Sequence, residues 1–426
     1  MNIEVIHELF LKSDGVSIDS RSITGNQLFF AIKGEKFNAN DYIPNVLENG
    51  ALKIITDDKN AHQIFPNESI LVENVIVALQ QLANYHRKYF KVKVLALTGS
   101  NGKTTTKELL YSCLSQKYEC IATIGNLNNH LGVPLTLLRI TADTEIAIVE
   151  MGANHVGEIR ELCQIAEPDM GLITNIGKAH LEGFGGFEGV IKGKSEMYNY
   201  LYENDHLIFA DESDPLLISL LPKKCNHVVY DKRKLYILDF NPTLRFEYRH
   251  HECQTQLTGK YNQANIMTAI AVSEYFDLEW SEIDRGIASY VPENKRSQIV
   301  NYQNSKIILD AYNANPTSMR LSIENALELS HGNLGLILGD MLELGSDSDI
   351  EHLEICEFLD TQENVGAVFI GTQFSELRNQ HKGYFFDNVQ DFLTQKELVH
   401  QIFSYPYILI KGSRGIKLEQ ILDHLA

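Results

Sequence analysis

Cations are scarce in this chain of 426 residues: 37 Lys and Arg stand against 56 Asp and Glu, a formal net charge of −19. A broad electrostatic hold on nucleic acid or on an anionic lipid surface is disfavoured by that balance. Anionic small molecules would have to be met locally, by helix N-termini, a few placed cations or metal ions. The 6 cysteines, at 113, 120, 163, 225, 253 and 356, are scattered, with no C-x-x-C pair and no dense framework of the secreted kind, so they read as reduced thiols. No stretch approaches the roughly 18 uninterrupted apolar residues of a membrane span. The opening MNIEVIHELFLKSDG carries acids early and lacks the apolar run and cleavage site of a signal peptide. A cytoplasmic protein without nucleic acid or membrane among its partners is expected.

What is present is ordinary globular composition, 44% hydrophobic and 22% charged. The length argues for about two to four domains. Residues 1–81 mix short strand-like runs, Leu28 to Ile32 and Lys53 to Thr56, with polar turns, as a small α/β unit does. From Val92 the alternation strengthens: strand-like runs at Val94 to Leu97, Ile146 to Val149, Gly171 to Thr174 and Leu207 to Ala210 are separated by helical segments. That rhythm belongs to a parallel sheet covered by helices. Between about 225 and 258 the segments HVVYD, KLYILDF and LRFEYRH read as an antiparallel patch, followed by a helix from about Gln263 to Tyr275. The polar PENKR near 292–296 marks a boundary. Beyond it, runs at Ile307 to Leu309, Leu334 to Leu338, Ala367 to Ile370 and Ile408 to Ile410 predict a further α/β unit. The expected architecture is α/β in three domains: 1–81, a central parallel-sheet unit over 82–295, and a Rossmann-like unit over 296–426.

The most informative segment is VLALTGSNGKTTTKELL, where a buried strand runs into Gly99, Ser100, Asn101, Gly102, Lys103, Thr104 and Thr105 and a helix begins. Glycines let backbone N–H groups turn inward on an anion, and the helix dipole adds positive potential. Lys103 would reach the β- and γ-phosphates of a nucleotide, and Thr104 would offer its hydroxyl to Mg²⁺. The general phosphate-loop pattern wants a glycine where this chain has Leu97. Glu150 ends an apolar strand at the edge where open α/β sheets bind ligands; such a carboxylate can hold Mg²⁺, cap a helix or simply be solvated. His180 lies on the Gly-rich NIGKAHLEGFGG loop facing the same crevice, and Lys194 on the helix after it. Taken singly, an exposed loop histidine and a solvated helix lysine explain both.

Taken jointly, TGSNGKTTT, VEMGANHVGEI, GKAHLEGFG, KGKSE and GKYNQANIMTAI, in this order, resemble the Mur ligase family of ATP-dependent amide-forming enzymes. LDAYNANPTSM, LGDMLELG and KGSRGIKLE are similar to the branch that joins D-alanyl-D-alanine to a UDP-N-acetylmuramoyl-tripeptide in peptidoglycan precursor synthesis, and IDSRSITGNQLFFAIKG to its uridine-nucleotide domain. The resemblance implies ATP and Mg²⁺ and both of those substrates; a monomer is expected. Gly99 to Thr105 would bind the ATP phosphates, and Thr104 with Glu150 one Mg²⁺. His180 would serve a second Mg²⁺ with Lys194, carbamylated so that a repelling cation becomes a binding anion. Asn262 would lie beside adenine, and Arg296, Asp310, Tyr312 and Asn313 would complete the nucleotide site. Ser20, Arg21, Asn315, Ser318, Lys411, Ser413 and Arg414 match substrate-side positions. Two departures stand out: the family's Asp-Gly-His is here Asn38-Ala39-Asn40, and Tyr261 stands where a histidine commonly precedes the adenine-side asparagine. Other readings are a tripeptide-forming muramyl ligase, a folylpolyglutamate synthase, or a nucleotide-driven switch ATPase, which would need neither Lys194 nor a uridine-nucleotide unit.

Overall fold

The computed structural model describes residues 3–241, 243–292 and 298–425. Three parallel or mostly parallel sheets follow one another along the chain. The first has four strands in sequential order, Val16–Ser17, Leu28–Phe30, Lys53–Thr56 and Ser69–Leu71, all parallel. The divergent triplet ties this sheet together: Asn40 Nδ2 donates to the Ala31 carbonyl at 3.3 Å, and Thr56 Oγ1 donates to Asn40 Oδ1 at 2.6 Å. The helix Val75–Phe90 follows, with the first helix, Ile3–Phe10, against it through a buried pair, His7 Nε2 to His86 Nδ1 at 3.0 Å.

The central sheet has six parallel strands in the order His227–Tyr230, Leu207–Asp211, Met170–Ile173, Lys93–Thr98, Ile146–Glu150, Cys120–Ala122. Its middle strands are apolar without alternation, as helices on both faces require. The reversal of strand order falls at Lys93–Thr98, where a doubly wound sheet opens a crevice at its carboxyl edge. HVVYD differs from expectation: it is a parallel edge strand beside Leu207–Asp211, reached through the crossover containing Pro215–Ser219. A crossover of that length permits parallel pairing, whereas the tight connections after it give the antiparallel set Tyr236–Asp239, Arg245–Tyr248 and His251–Gln254. The helix Asn262–Tyr275 then packs back on the sheet, its buried Ile266, Met267 and Ile270 joining the core below the phosphate loop.

The last sheet runs Gln298–Tyr302, Ser305–Asp310, Tyr407–Lys411, Leu334–Gly339, Val365–Ile370, Tyr384–Phe386, antiparallel only at the first pair. Every strand expected here is present; the two edge strands, short or half-buried, carried too little apolar signal to be read. The central and last sheets turn carboxyl edges toward one another across a shared cleft. Among the described residues no helix is long and apolar enough to cross a membrane.

Candidate active site

The phosphate loop owes its shape to two glycines. Gly99 has φ +146°, and a Cβ there would lie 2.0 Å from Thr174 Oγ1; Gly102 has φ +78°, and a Cβ there would lie 2.4 Å from Asn265 Oδ1. Only glycine combines the left-handed backbone with that clearance. Gly102 is also the N-cap of Lys103–Leu114, and having no side chain it places no cap of its own between the helix N-terminus and the cleft. Ser100 Oγ is bound to both the N–H and the carbonyl of Gly177, at 2.9 and 3.0 Å. Lys103 folds over its own loop, Nζ donating to the carbonyls of Gly99 at 2.7 Å and Ser100 at 3.3 Å.

Beside the loop, Glu150 is 1% exposed. Its Oε1 accepts from Asn128 Nδ2 at 2.8 Å and Thr104 Oγ1 at 3.3 Å, while Oε2 is buried with no hydrogen-bond partner among the described residues. A buried carboxylate oxygen left bare is costly unless something cationic meets it. The donor set, one carboxylate oxygen with a threonine hydroxyl at a phosphate loop, suits a hard divalent cation such as Mg²⁺ that keeps other positions for phosphate and water. Among the described residues no group of three His, Cys, Asp or Glu could hold a metal by itself.

His180 has a left-handed backbone, φ 54°, and its Nδ1 is hydrogen-bonded to Glu343 of the last sheet's domain, itself at φ 64°. That bond holds the Glu343 carboxyl below the usual carboxylate range. Lys194 is 1% exposed, donates weakly to the Ala153 carbonyl at 3.2 Å and sits 5.2 Å from the Phe184 ring centroid. Burial, reinforced by the nearby Lys103 charge, pushes its ammonium well below the ordinary lysine range.

One cavity of about 700 Å³ joins the phosphate loop, Glu150 and His180 to the last domain. Its walls include Ser100 to Thr105, Glu150 and His180 from the central unit, and Asp310, Tyr312, Asn313, Asn315, Ser318, Lys411 and Arg414 from the other. Lys411, 1% exposed, neutralises Asp310 at 2.5 Å and reaches the Asn313 carbonyl at 3.3 Å. Asn315 and Ser318 form a reciprocal cap on Pro316–Leu329. Asn262 is buried, its amide donating to the Thr258 carbonyl and accepting from Asn265, while Leu257 and Tyr261 line the wall beside it.

Five expected residues, Gly99 among them, stand off this cavity. Lys194 lies behind the Ala153 wall; Ser413 is buried, its hydroxyl accepting from the Leu342 N–H at 2.9 Å; Ser20 is buried in the first domain, and Arg21 is exposed there, paired with Asp19 at 2.7 Å. Arg296 lies outside the described residues. Sequence reasoning passed over Asn128, Asn175 and Asn265, which hold Glu150, Asn101 and Thr106. Their only signal was adjacency to recognised motifs, Asn265 three residues after Asn262 and Asn175 directly after a strand end.

Three family models match in order: the Mur ligase family catalytic domain over residues 12–95, the Mur ligase middle domain over 97–273, and the Mur ligase glutamate ligase domain over 295–414. The UDP-N-acetylmuramoyl-tripeptide--D-alanyl-D-alanine ligase of Bacillus subtilis is 33% identical, the alignment covering 96% of this chain and 93% of that protein. Among solved structures, MurF from Acinetobacter baumannii superposes with a TM-score of 0.85 at 30% identity, covering 96% of this chain and 92% of that one. MurF ligase from Thermotoga maritima in complex with ADP gives 0.84 at 28%, covering 97% of both. With three family models matched in order along the chain and a relative 33% identical over 96% of it, the chain belongs to the Mur ligase family.

Proposed function

We propose that this protein is an ATP-dependent amide ligase that joins D-alanyl-D-alanine to a UDP-N-acetylmuramoyl-tripeptide, forming ADP, phosphate and the pentapeptide precursor. The observation that carries the reading is the single cavity in which the phosphate loop meets the YNANPTSM and KGSRG residues of the last domain. The tripeptide's terminal carboxylate is a poor electrophile; taking the γ-phosphoryl group of ATP makes it an acyl phosphate. The amine of D-alanyl-D-alanine then attacks the carbonyl carbon, and the C–O bond to phosphate breaks as the amide forms. Catalysis is positioning and charge neutralisation.

In this reading the loop from Gly99 to Thr105 binds the ATP phosphates, and Lys103 Nζ exchanges its loop carbonyls for phosphoryl oxygens. Asn262, Asp310, Tyr312, Asn313 and Arg296 belong to the nucleotide side. Ser20 and Arg21 belong to the UDP-peptide side; Ser318, Lys411, Ser413 and Arg414 to the side of the incoming dipeptide amine. Thr104 and Glu150 would hold one Mg²⁺, and His180 with carbamylated Lys194 a second, the ions supplying positive charge between phosphate and carboxylate. The neutral Lys194 amine is the form that attacks CO₂, releasing a proton and leaving an anionic carbamate.

Phosphate release measured with each substrate omitted in turn tests the reading. Turnover that requires both the UDP-muramyl tripeptide and D-alanyl-D-alanine is expected; release that proceeds without the dipeptide rejects it. Carbon-13 bicarbonate should give a carbamate resonance that Lys194→Ala lacks, and an unlabelled wild type under turnover conditions removes Lys194 from the metal site. A cytoplasmic location accompanies the reading, supported by six cysteines that are all free thiols.

A further inference from the structure

Asn101, inside the phosphate loop, makes a contact that phosphate binding does not require. Its Oδ1 accepts from Asn315 Nδ2 at 2.8 Å, across 214 residues of sequence and from one domain to the other. Both partners are rigidly held. The Asn101 N–H donates to Asn175 Oδ1 at 3.0 Å, and its carbonyl accepts from Thr174 Oγ1 at 2.6 Å and Asn175 Nδ2 at 2.9 Å. Asn315 is fixed as a helix cap: its Oδ1 accepts from the Ser318 N–H at 2.9 Å while Ser318 Oγ accepts from the Asn315 N–H at 3.1 Å. Asn315 therefore spends both ends of its amide inside the protein.

Other bonds join the same two domains. Lys178 pairs with Glu351 at 2.5 Å, the Lys178 N–H reaches Thr317 Oγ1 at 3.3 Å, and His180 meets Glu343. These start from the loop beyond Gly177, whereas the asparagine pair touches the phosphate loop itself, two residues before Lys103.

We infer that Asn101 and Asn315 are positioning residues that act as one unit, setting the phosphate loop in register with the last domain so that the phosphoryl group and its acceptor are aligned only when the cleft is closed. The inference rests on the ligase reading and reassigns Asn315, expected from the sequence to contact substrate. A contact of this kind acts on kcat: the domains still associate through the remaining bonds, and the nucleotide still finds the backbone N–H groups of the loop.

The test is a double-mutant cycle on the full chain. Asn315→Ser keeps a cap residue and removes the donor to Asn101, and Asn101→Ala removes the acceptor without touching the cap. Each single variant is expected to lose about 10-fold in kcat, equivalent to ~1.4 kcal/mol, and the double variant no more than either single one. The KM for D-alanyl-D-alanine and the dissociation constant of a non-hydrolysable ATP analogue should stay within about twofold of wild type, less than ~0.5 kcal/mol. Losses that multiply to about 100-fold in the double variant overturn the inference, as does an Asn315→Ser enzyme whose defect is a raised dipeptide KM at normal kcat. Should Asn315→Ser melt earlier than wild type, Asn101→Ala alone must still show the kcat loss, and its absence overturns the inference. A wild-type protein without dipeptide-dependent phosphate release rejects the ligase reading and this inference together; wild-type turnover with independent losses rejects only the inference.

Discussion

Lys103 illustrates what a single residue contributes and how much of it a sequence discloses. Its ammonium is held over the loop by two carbonyls, ready to turn toward a phosphoryl group. Lys103→Ala should leave the fold intact, because the loop is shaped by Gly99, Gly102 and the asparagines around them, and should remove roughly 3 kcal/mol or more of transition-state stabilisation. Circular dichroism alongside phosphate release checks it; near-normal turnover removes Lys103 from the chemistry. Glu150→Gln makes a different point. It keeps an acceptor for Thr104 and Asn128 but takes away the charge of the bare Oε2, so Mn²⁺ binding followed by electron paramagnetic resonance in the presence of ATP should weaken by at least about 10-fold. Lys103, Thr104 and Glu150 were legible because each sits at a fixed offset from a strand end. Asn128, Asn175 and Asn265 were not, because an amide that fixes another side chain has no periodicity and no motif of its own.

At the scale of elements, legibility followed burial. Strands buried on both faces, such as Lys93–Thr98 and Leu334–Gly339, stood out as continuous apolar runs; Cys120–Ala122, Gln298–Tyr302 and Tyr384–Phe386 are short or half-exposed edges and did not. The packing of Ile3–Phe10 on Val75–Phe90 was equally hidden, since beside Ile6, Phe10, Leu79 and Leu82 it includes two histidines distant in sequence. The Ile140 carbonyl can only accept, so His86 Nε2 carries the proton and its Nδ1 must accept from His7 Nε2. Protonating His86 would set two N–H groups against each other. Burial accordingly depresses its pKa to about 4 from an ordinary 6.5. A folded-state pKa below the unfolded one means that the unfolded chain binds the extra proton more readily. The stabilisation is complete above about pH 6.5 and is lost progressively as pH falls toward 4. Urea unfolding at pH 7.5 and pH 5 should differ by about 1–2 kcal/mol from this pair, and His86→Gln should flatten that difference while lowering stability at pH 7.5. An unchanged slope in the variant would assign the acid sensitivity to other groups.

For the whole molecule, the decisive quantity is the balance between a cleft that admits two large anions and one that excludes water while they react. The Lys178–Glu351 pair bears on that balance asymmetrically. Glu351 belongs to the helix Ser348–Asp360 and its side chain is 6% exposed, whereas that of Lys178 is 44% exposed and lies on the loop of the central unit. The partnership raises the Lys178 pKa, so the lysine stays charged throughout the working range. Lys178→Ala leaves a carboxylate in the closed interface without its cation, a penalty that opening the cleft relieves by hydration. Removing both charges with Lys178→Ala and Glu351→Gln leaves no unpaired ion to hydrate. The single variant should therefore shift the population toward open molecules by about 1–2 kcal/mol, a lower figure than for a fully buried pair because the lysine is half in water. The double variant should recover most of that shift. Small-angle scattering of the ligand-free protein reads it directly: the radius of gyration should rise in Lys178→Ala and fall back in the double variant. Raising ionic strength should expand the wild type and leave the double variant less affected, since only the wild type has this attraction to screen. If both variants expand equally, the pair merely covers the interface and closure is governed by the contacts at the phosphate loop.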